Sequence, residues 1–223
     1  MHPALAILLL WLVFAATHMT LSSVSLRPRL VERLGASGFL GLYSLVAVAT
    51  FVPMVSLYFG HKHAGTHLFY LGGVPGMQWF VYVGMAYAFA LSVAGLVRPS
   101  PASLQPGKAE AKGVLRLTRH PLFMGVGIFG ALHLLVASIH TADLAFFAGF
   151  PLFAIVGCWH QDQRKLTTEG DDFAAFHAQT SFLPVPRPAA LMAAIREDGL
   201  ALLAGVGVAA LLRVNHGSLF GGA

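Results

Sequence analysis

Long stretches without a charged residue constrain this chain more than any other feature of its sequence. Five of them can cross the roughly 30 Å of hydrocarbon in a bilayer, and none contains Lys, Arg, Asp or Glu except Asp143 at a boundary. A sixth stretch is shorter and rich in Ala and Gly. We therefore predict an all-α, polytopic membrane helix bundle with about six transmembrane helices. The predicted spans are residues 4–24, 38–59, 76–97, 121–139, 141–159 and 199–214.

Composition supports the lipid bilayer as the surroundings of this chain. Hydrophobic residues make up 57% and charged residues 10%, whereas a soluble domain carries about 25% charged residues. The apolar runs do not alternate with a period of two, which disfavours the strands of a membrane barrel. Met1, His2 and Pro3 provide none of the Lys or Arg that opens a signal peptide, so we predict a mature first helix.

The cations are distributed unequally between the predicted loops. Twelve of the 14 lie in the loops after the first, third and fifth spans, whereas Lys62 and Arg213 lie on the other side. By the positive-inside rule, the basic loops are cytoplasmic and both termini lie on the other side. We expect that side to be the periplasm of a bacterial inner membrane. The net charge of +5 is then explained by topology and anionic lipids, and we predict no nucleic-acid partner. The twelve are Arg27, Arg29, Arg33, Arg98, Lys108, Lys112, Arg116, Arg119, Arg164, Lys165, Arg187 and Arg196.

Two histidines, His18 and His133, lie inside predicted spans. An ionisable side chain is costly there, so both are candidate functional residues. His61, His63 and His67 follow the second span, where a metal site is one interpretation and a solvated loop is the favoured one. The single cysteine, Cys158, excludes an internal disulfide and is interpreted as a small apolar residue of the fifth span.

The surroundings of the two intramembrane histidines leave alternatives open. Gly130 lies one turn before His133 and Ala137 one turn after it, so this face is small. It could accept either another helix or a flat planar group. His18 lies on an aromatic stripe with Phe14, which is typical of a helix core and also suits the wall of a cofactor site.

The run Arg119-His120-Pro121 marks the start of the fourth span. Pro121 suits the first turn of a helix, and Arg119 and His120 lie at its entrance. The helix dipole and the cations together favour an anion at this position. The alternative is that Arg119 anchors the helix at the lipid head groups.

These motifs together resemble the NnrU family. The Arg119-His120-Pro121 run is followed by His133, and the similarity extends to Thr17-His18, Leu26-Arg27-Pro28, the run 161–165 and the run 182–184. It covers about residues 1–187. We therefore predict a single NnrU-like membrane domain over residues 1–223, with a core of residues 1–187 and an extra C-terminal helix at about 199–214.

The resemblance implies a haem protein. NnrU proteins are similar to the zeta-carotene isomerases, which bind haem b through two histidines and convert a cis double bond to trans. Carried over to this chain, the resemblance implies that His18 and His133 bind the haem iron. It also implies a hydrophobic polyene as the bound substrate. The isomerases have a cysteine where this chain has Gly130. The NnrU family is also associated with nitrite and nitric oxide in denitrification, which implies nitric oxide as a ligand. A non-enzymatic role in assembly, or in haem delivery to a nitrogen-oxide reductase, is a further alternative.

The same run is also similar to the isoprenylcysteine carboxyl methyltransferases, over about residues 116–187. That resemblance implies S-adenosylmethionine held by Arg119 and His120, although Phe123 stands where the family has Tyr. Methyl transfer is therefore our second functional prediction.

The depths of the histidines in the membrane leave two possible pairs of haem ligands. At 1.5 Å per residue, His133 lies about 18 Å from Pro121, whereas His18 lies only about 9 Å from Val24 at the end of its span. Helix tilt can bring them level. Otherwise His18 pairs better with His120.

Overall fold

A computed structural model describes residues 2–103, 110–136 and 138–221. Lys108 and Ala137 therefore lie outside the described residues. The described chain is helical apart from turns and one small sheet, which confirms the predicted all-α membrane bundle. The helices are α1 (Pro3–Leu21), α2 (Leu26–Gly60), α3 (Met77–Val97), α4 (Pro121–Val136), α5 (Thr141–Phe147), α6 (Gly149–Thr168), α7 (Gly170–Gln179), α8 (Pro188–Val214) and α9 (His216–Phe220). The strands are β1 (His67–Tyr70) and β2 (Ser138–His140), which pair antiparallel.

Four helical segments are long and apolar enough to cross a membrane, namely α1, α2, α3 and the consecutive helices α5 and α6. The predicted fourth span, residues 121–139, corresponds to the shorter α4, which ends at Val136, and β2 begins at Ser138. The predicted sixth span is the C-terminal part of α8. The prediction for the fifth span stopped at residue 159, but α6 continues to Thr168 and carries charged residues on its last turns.

Two breaks in long helices have local causes. Gly35 has φ 71° and ψ 167° inside α2, a conformation that only glycine adopts readily, so the apolar part of α2 starts close to the predicted residue 38. In α8, Asp198 has φ −128°. Its carboxylate accepts hydrogen bonds from Arg98 Nε at 2.9 Å and from the Val114 N–H at 2.7 Å. The hydrogen bond to Asp198 raises the pKa of Arg98 and fixes the end of α3 to α8.

The basic residues gather at one end of the bundle, which we call the basic end. It contains the α1–α2 turn, the start of α4 and the end of α6. Lys165 Nζ donates to the carbonyl of Pro101, and Arg27 lies close enough to Arg164 for the two positive charges to repel each other. The opposite end carries β1, β2 and Lys62, which donates to the carbonyl of Phe220. That the basic end is cytoplasmic stays a prediction.

Close packing places α5 and α6 in contact with both α1 and α4, while α3 packs on α4 and α8. Glycine makes one of these approaches possible. A Cβ atom added to Gly130 of α4 would lie 2.5 Å from Phe150 Cβ and 2.7 Å from the Phe147 carbonyl oxygen. The small face predicted around His133 therefore packs on another helix, as small residues do between membrane helices.

We expect Gly130→Ala to lower the free energy of unfolding by about 1–3 kcal/mol, because the added methyl group overpacks the contact between α4 and α6. Gly207→Ala is the matched control, since nothing lies within 4 Å of its added Cβ. Thermal unfolding of the detergent-purified protein measures both. Equal stability of the two variants would contradict the described packing.

Candidate functional site

The Arg119-His120 pair at the start of α4 contacts a buried carboxylate on α6. Arg119 Nε donates to Asp162 Oδ2 at 2.7 Å, and the Nε2–H of His120 donates to Asp162 Oδ1 at 2.9 Å. A second nitrogen of Arg119 donates to the Thr180 carbonyl at 2.9 Å. Arg119, His120 and Asp162 are all buried. The run that the sequence identified is therefore bound to Asp162.

The charges of this cluster are compensated within the protein. His177 Nε2 lies 3.8 Å from Asp162 Oδ2, but partial burial and the nearby positive charge of Arg119 lower the pKa of His177. The direct partners of the Asp162 carboxylate are therefore Arg119 and His120, and Arg119 supplies a permanent positive charge. The hydrogen bonds of Arg119 and His120 thus give both residues a structural role. Their binding of S-adenosylmethionine stays a prediction.

We expect Asp162→Asn to lower the free energy of unfolding by about 3–5 kcal/mol, because it leaves the buried charge of Arg119 uncompensated. Asp171→Asn removes the same charge from an exposed position on α7 and should change stability by less than about 0.5 kcal/mol. Denaturation of the purified protein, followed by helical circular dichroism, measures the difference. Similar stability of the two variants would show that Asp162 is not the counter-charge.

His18 lies in a small aromatic cavity bounded by α1, α2, α4 and α6. Its ring centroid is 4.0 Å from that of Phe14, 4.8 Å from that of Tyr43 and 5.7 Å from that of Phe153. The cavity has a volume of about 130 Å³. The Nδ1–H of His18 donates to the Phe14 carbonyl at 2.8 Å, which leaves Nε2 available to bind a metal. Metal-ligating histidines usually donate the other ring N–H in this way.

The cavity at His18 lies next to the cluster around Asp162. Phe123 lines it from α4, one turn after His120, and Cys158 lines it from α6, one turn before Asp162. Cys158 is buried with a free thiol, which agrees with the predicted small residue in a span. The hydrogen bonds of Asp162 therefore fix the two helices that form one side of the cavity.

His133 makes the same local hydrogen bond as His18 but faces other side chains. Its Nδ1–H donates to the Phe129 carbonyl at 2.8 Å, so its Nε2 is also available to a metal. Its ring stacks on that of Phe147 at 4.5 Å, with an angle of 7° between the ring planes. The local geometry of each imidazole would therefore allow it to bind a haem iron through Nε2.

The two imidazoles lie against different aromatic rings. His18 contacts Phe153 and His133 contacts Phe147, and six residues of helix correspond to about 9 Å along the axis. Phe150, between these two phenylalanines in sequence, contacts rings of α1 and α4 at 5.2 Å and 5.9 Å. His18 lines the cavity, whereas His133 is not among its lining residues. The alternative partner of His18, His120, already donates its Nε2–H to Asp162.

A second buried carboxylate, Asp143, lies at the opposite end of the bundle. Its Oδ1 accepts from the Tyr58 hydroxyl at 3.0 Å and from the His63 N–H at 3.2 Å, and its Oδ2 accepts from the His140 N–H at 2.9 Å. His63 has φ 58°, which is unusual for a residue with a side chain. Asp143 therefore caps α5 and fixes the turn that follows α2.

The side chains that could hold a metal at this end differ from the predicted group. Ligand atoms of His63, His140 and Asp143 lie within 4.8 Å of one another. The Nδ1–H of His61 instead donates to a carbonyl of its own helix at 2.9 Å. Of His61, His63 and His67, His63 is the one that belongs to this cluster, and the solvated loop favoured for the three histidines stays a prediction. The hydrogen bonds of Asp143 explain its burial without an ion.

Sequence reasoning missed Tyr43 and the pairing of Asp162. Tyr43 lies in a uniformly apolar stretch, and its one signal is a polar hydroxyl that needs a partner or a cavity. Asp162 lies one turn after Cys158, and a carboxylate that continues the helical spacing of an apolar span requires a buried cation. The cation itself lies 43 residues away.

Comparison with known proteins gives two kinds of match. The profile of the NnrU protein family matches residues 6–223, which confirms the resemblance found in the motifs. The chain is 26% identical to the chloroplastic 15-cis-zeta-carotene isomerase of Arabidopsis thaliana over 185 residues, covering 82% of this chain and 50% of the relative. It is 25% identical to the isomerase of the same name from Zea mays over 180 residues, covering 79% and 48%. The chain thus spans about half the length of these relatives. No solved structure matches.

Proposed function

We propose that this chain, which belongs to the NnrU family, is a membrane isomerase that converts a cis double bond of a long polyene to trans. One observation supports the proposal above all. An aromatic-lined cavity contains the buried His18 in a membrane chain that is similar to two 15-cis-zeta-carotene isomerases.

A conjugated polyene suits the chemistry of this cavity. Its flat, apolar π-system packs against the rings of Phe14, Tyr43 and Phe153, and aromatic rings favour such contacts. The cavity of about 130 Å³ is smaller than the roughly 300–1,000 Å³ of a typical ligand pocket. It therefore accommodates the segment with the reacting bond. The rest of the polyene lies along exposed apolar side chains such as Leu12 and Leu45, in the lipid.

Haem b is the proposed cofactor, with His18 and His133 as its ligands. The support is the shared local geometry, in which each Nδ1–H is bound to a carbonyl and each Nε2 is available. When bound, haem would supply a redox-active iron. The two imidazoles face different rings, Phe153 and Phe147, and His18 is the one that lines the cavity.

The other functions suggested by the family association make different demands. A role with nitric oxide, or in haem delivery to a nitrogen-oxide reductase, uses the same histidines, but haem delivery requires haem that exchanges readily. Methyl transfer requires Arg119 and His120 to leave Asp162 for a cofactor, which costs two buried charge-assisted hydrogen bonds. The isomerase proposal makes neither demand.

The first test of the proposal is conversion of 15-cis-zeta-carotene by the full chain in lipid nanodiscs, followed by chromatography of the products. We expect the wild type and His61→Ala to convert it, and His18→Ala to lose at least about tenfold in rate, since even outer-shell partners of a metal ligand have effects of that size. His61 is the matched control because its Nδ1 makes the same hydrogen bond at an exposed position. No conversion by the wild type would contradict the proposal.

Optical spectra of the same preparations test haem separately. We expect a Soret band with reduced α and β bands in the wild type and in His61→Ala, and its loss in His18→Ala and His133→Ala. Retention of the band in His133→Ala would limit ligation to His18. If the wild type contains no haem, takes up no haemin and still converts the polyene, haem b is contradicted as the cofactor. The isomerase proposal would then still stand.

A further inference from the structure

A second cavity, separate from the one at His18, lies at the basic end between the α1–α2 turn and the end of α6. It has a volume of about 410 Å³ and is lined by Arg27 and Arg164. We propose that it binds the phosphate group of an anionic phospholipid, and this proposal does not depend on the isomerase activity.

Two arginines at this cavity have a buried Nε atom without a hydrogen-bond partner among the described residues. Arg164 is only 4% exposed, and its Nε has no hydrogen-bond partner. The Nε of Arg27 is likewise buried without a partner among the described residues. A guanidinium stays charged at any physiological pH, and a buried charge is costly unless it is paired. Because Arg27 also repels Arg164, an anion between them would stabilise both.

The nearby carboxylates of the protein do not fill this role. Glu169 acts on Arg164 from a distance, but its carboxylate pairs with Lys165 at 2.9 Å. Glu32 lines the cavity, yet the Nε of both arginines remains without a partner. The two arginines and Glu32 together leave the lining with a net positive charge. A ligand with an oxyanion is therefore favoured over a cation.

The position and the lining select a lipid over a soluble anion. The cavity lies where α1 and α6 end and α2 begins, at the level expected for lipid head groups. Besides the guanidinium groups it has apolar side chains, including Val24, Pro28 and Val31, which suit the glycerol and the first part of the acyl chains. The planar guanidinium donates two parallel hydrogen bonds to phosphate oxygens. Basic pockets between membrane helices are known to suit such head groups.

The test measures lipid binding to the full chain after removal of bound lipid in detergent. Phosphatidylglycerol and phosphatidylcholine with the same acyl chains are added in separate samples, and inorganic phosphate in a third. Native mass spectrometry counts retained lipid, and thermal unfolding reports stabilisation, because a ligand of the folded state raises the midpoint. We expect phosphatidylglycerol to bind more tightly than phosphatidylcholine, and inorganic phosphate to have little effect.

The variants localise the effect to the cavity. We expect Arg164→Gln and Arg27→Gln each to weaken phosphatidylglycerol binding by about tenfold or more, the usual range for a lost hydrogen bond to a charged group. Arg29→Gln removes the same charge from an exposed position two residues from Arg27 and should bind like the wild type. Glu32→Gln removes a competing carboxylate from the cavity and should strengthen binding.

Stability without lipid gives an independent readout. Arg164→Gln should be at least as stable as the wild type in the lipid-free state, because it removes an unpaired buried charge. Three results would overturn the proposal. They are equal binding of the two lipids, phosphate protection as strong as that by phosphatidylglycerol, and loss of stability in Glu32→Gln, which would identify Glu32 as the true partner of the arginines.

Discussion

The buried carboxylate of Asp162 is the contact on which the arrangement of the basic end depends. It receives hydrogen bonds from Arg119 and His120, while Arg119 also reaches the carbonyl of Thr180. The start of α4, the end of α6 and the segment after α7 are therefore joined at one point that water does not reach. In such a medium a partly satisfied group is costly, so the three segments hold one another in a single arrangement. One turn along α6, Cys158 lines the cavity at His18.

The fold could be predicted from the apolar runs, because a chain in lipid must satisfy its backbone within each segment and so forms helices. The limits of the helices were less predictable. Charges at Asp162, Arg164 and Lys165 suggest a loop after residue 159, yet α6 continues through them. Each of the three is buried, and the partners of Asp162 and Lys165 lie 43 and 64 residues away in the chain. Spacing along one helix does not contain that information.

The candidate site shows the same limit. His18 and His133 were predicted as intramembrane histidines, and the structure places both inside the bundle with their Nδ1 atoms bound to carbonyl groups of their own helices. The rings that they contact, Phe153 and Phe147, belong to other helices. The polar cluster at the other end combines His63 with His140 and Asp143 from another part of the chain. Neighbours in sequence indicated the kind of residue involved, and the packing of helices determined which ones meet.

The position of Phe150 has a consequence for how sequences of this kind can change. Its ring contacts Trp11 on α1, Phe51 on α2 and Phe129 on α4. A smaller side chain at any of these positions leaves a gap that the others must fill, so the effects of such substitutions should not add. Related chains should therefore vary at these four positions together, as a set with a conserved total volume.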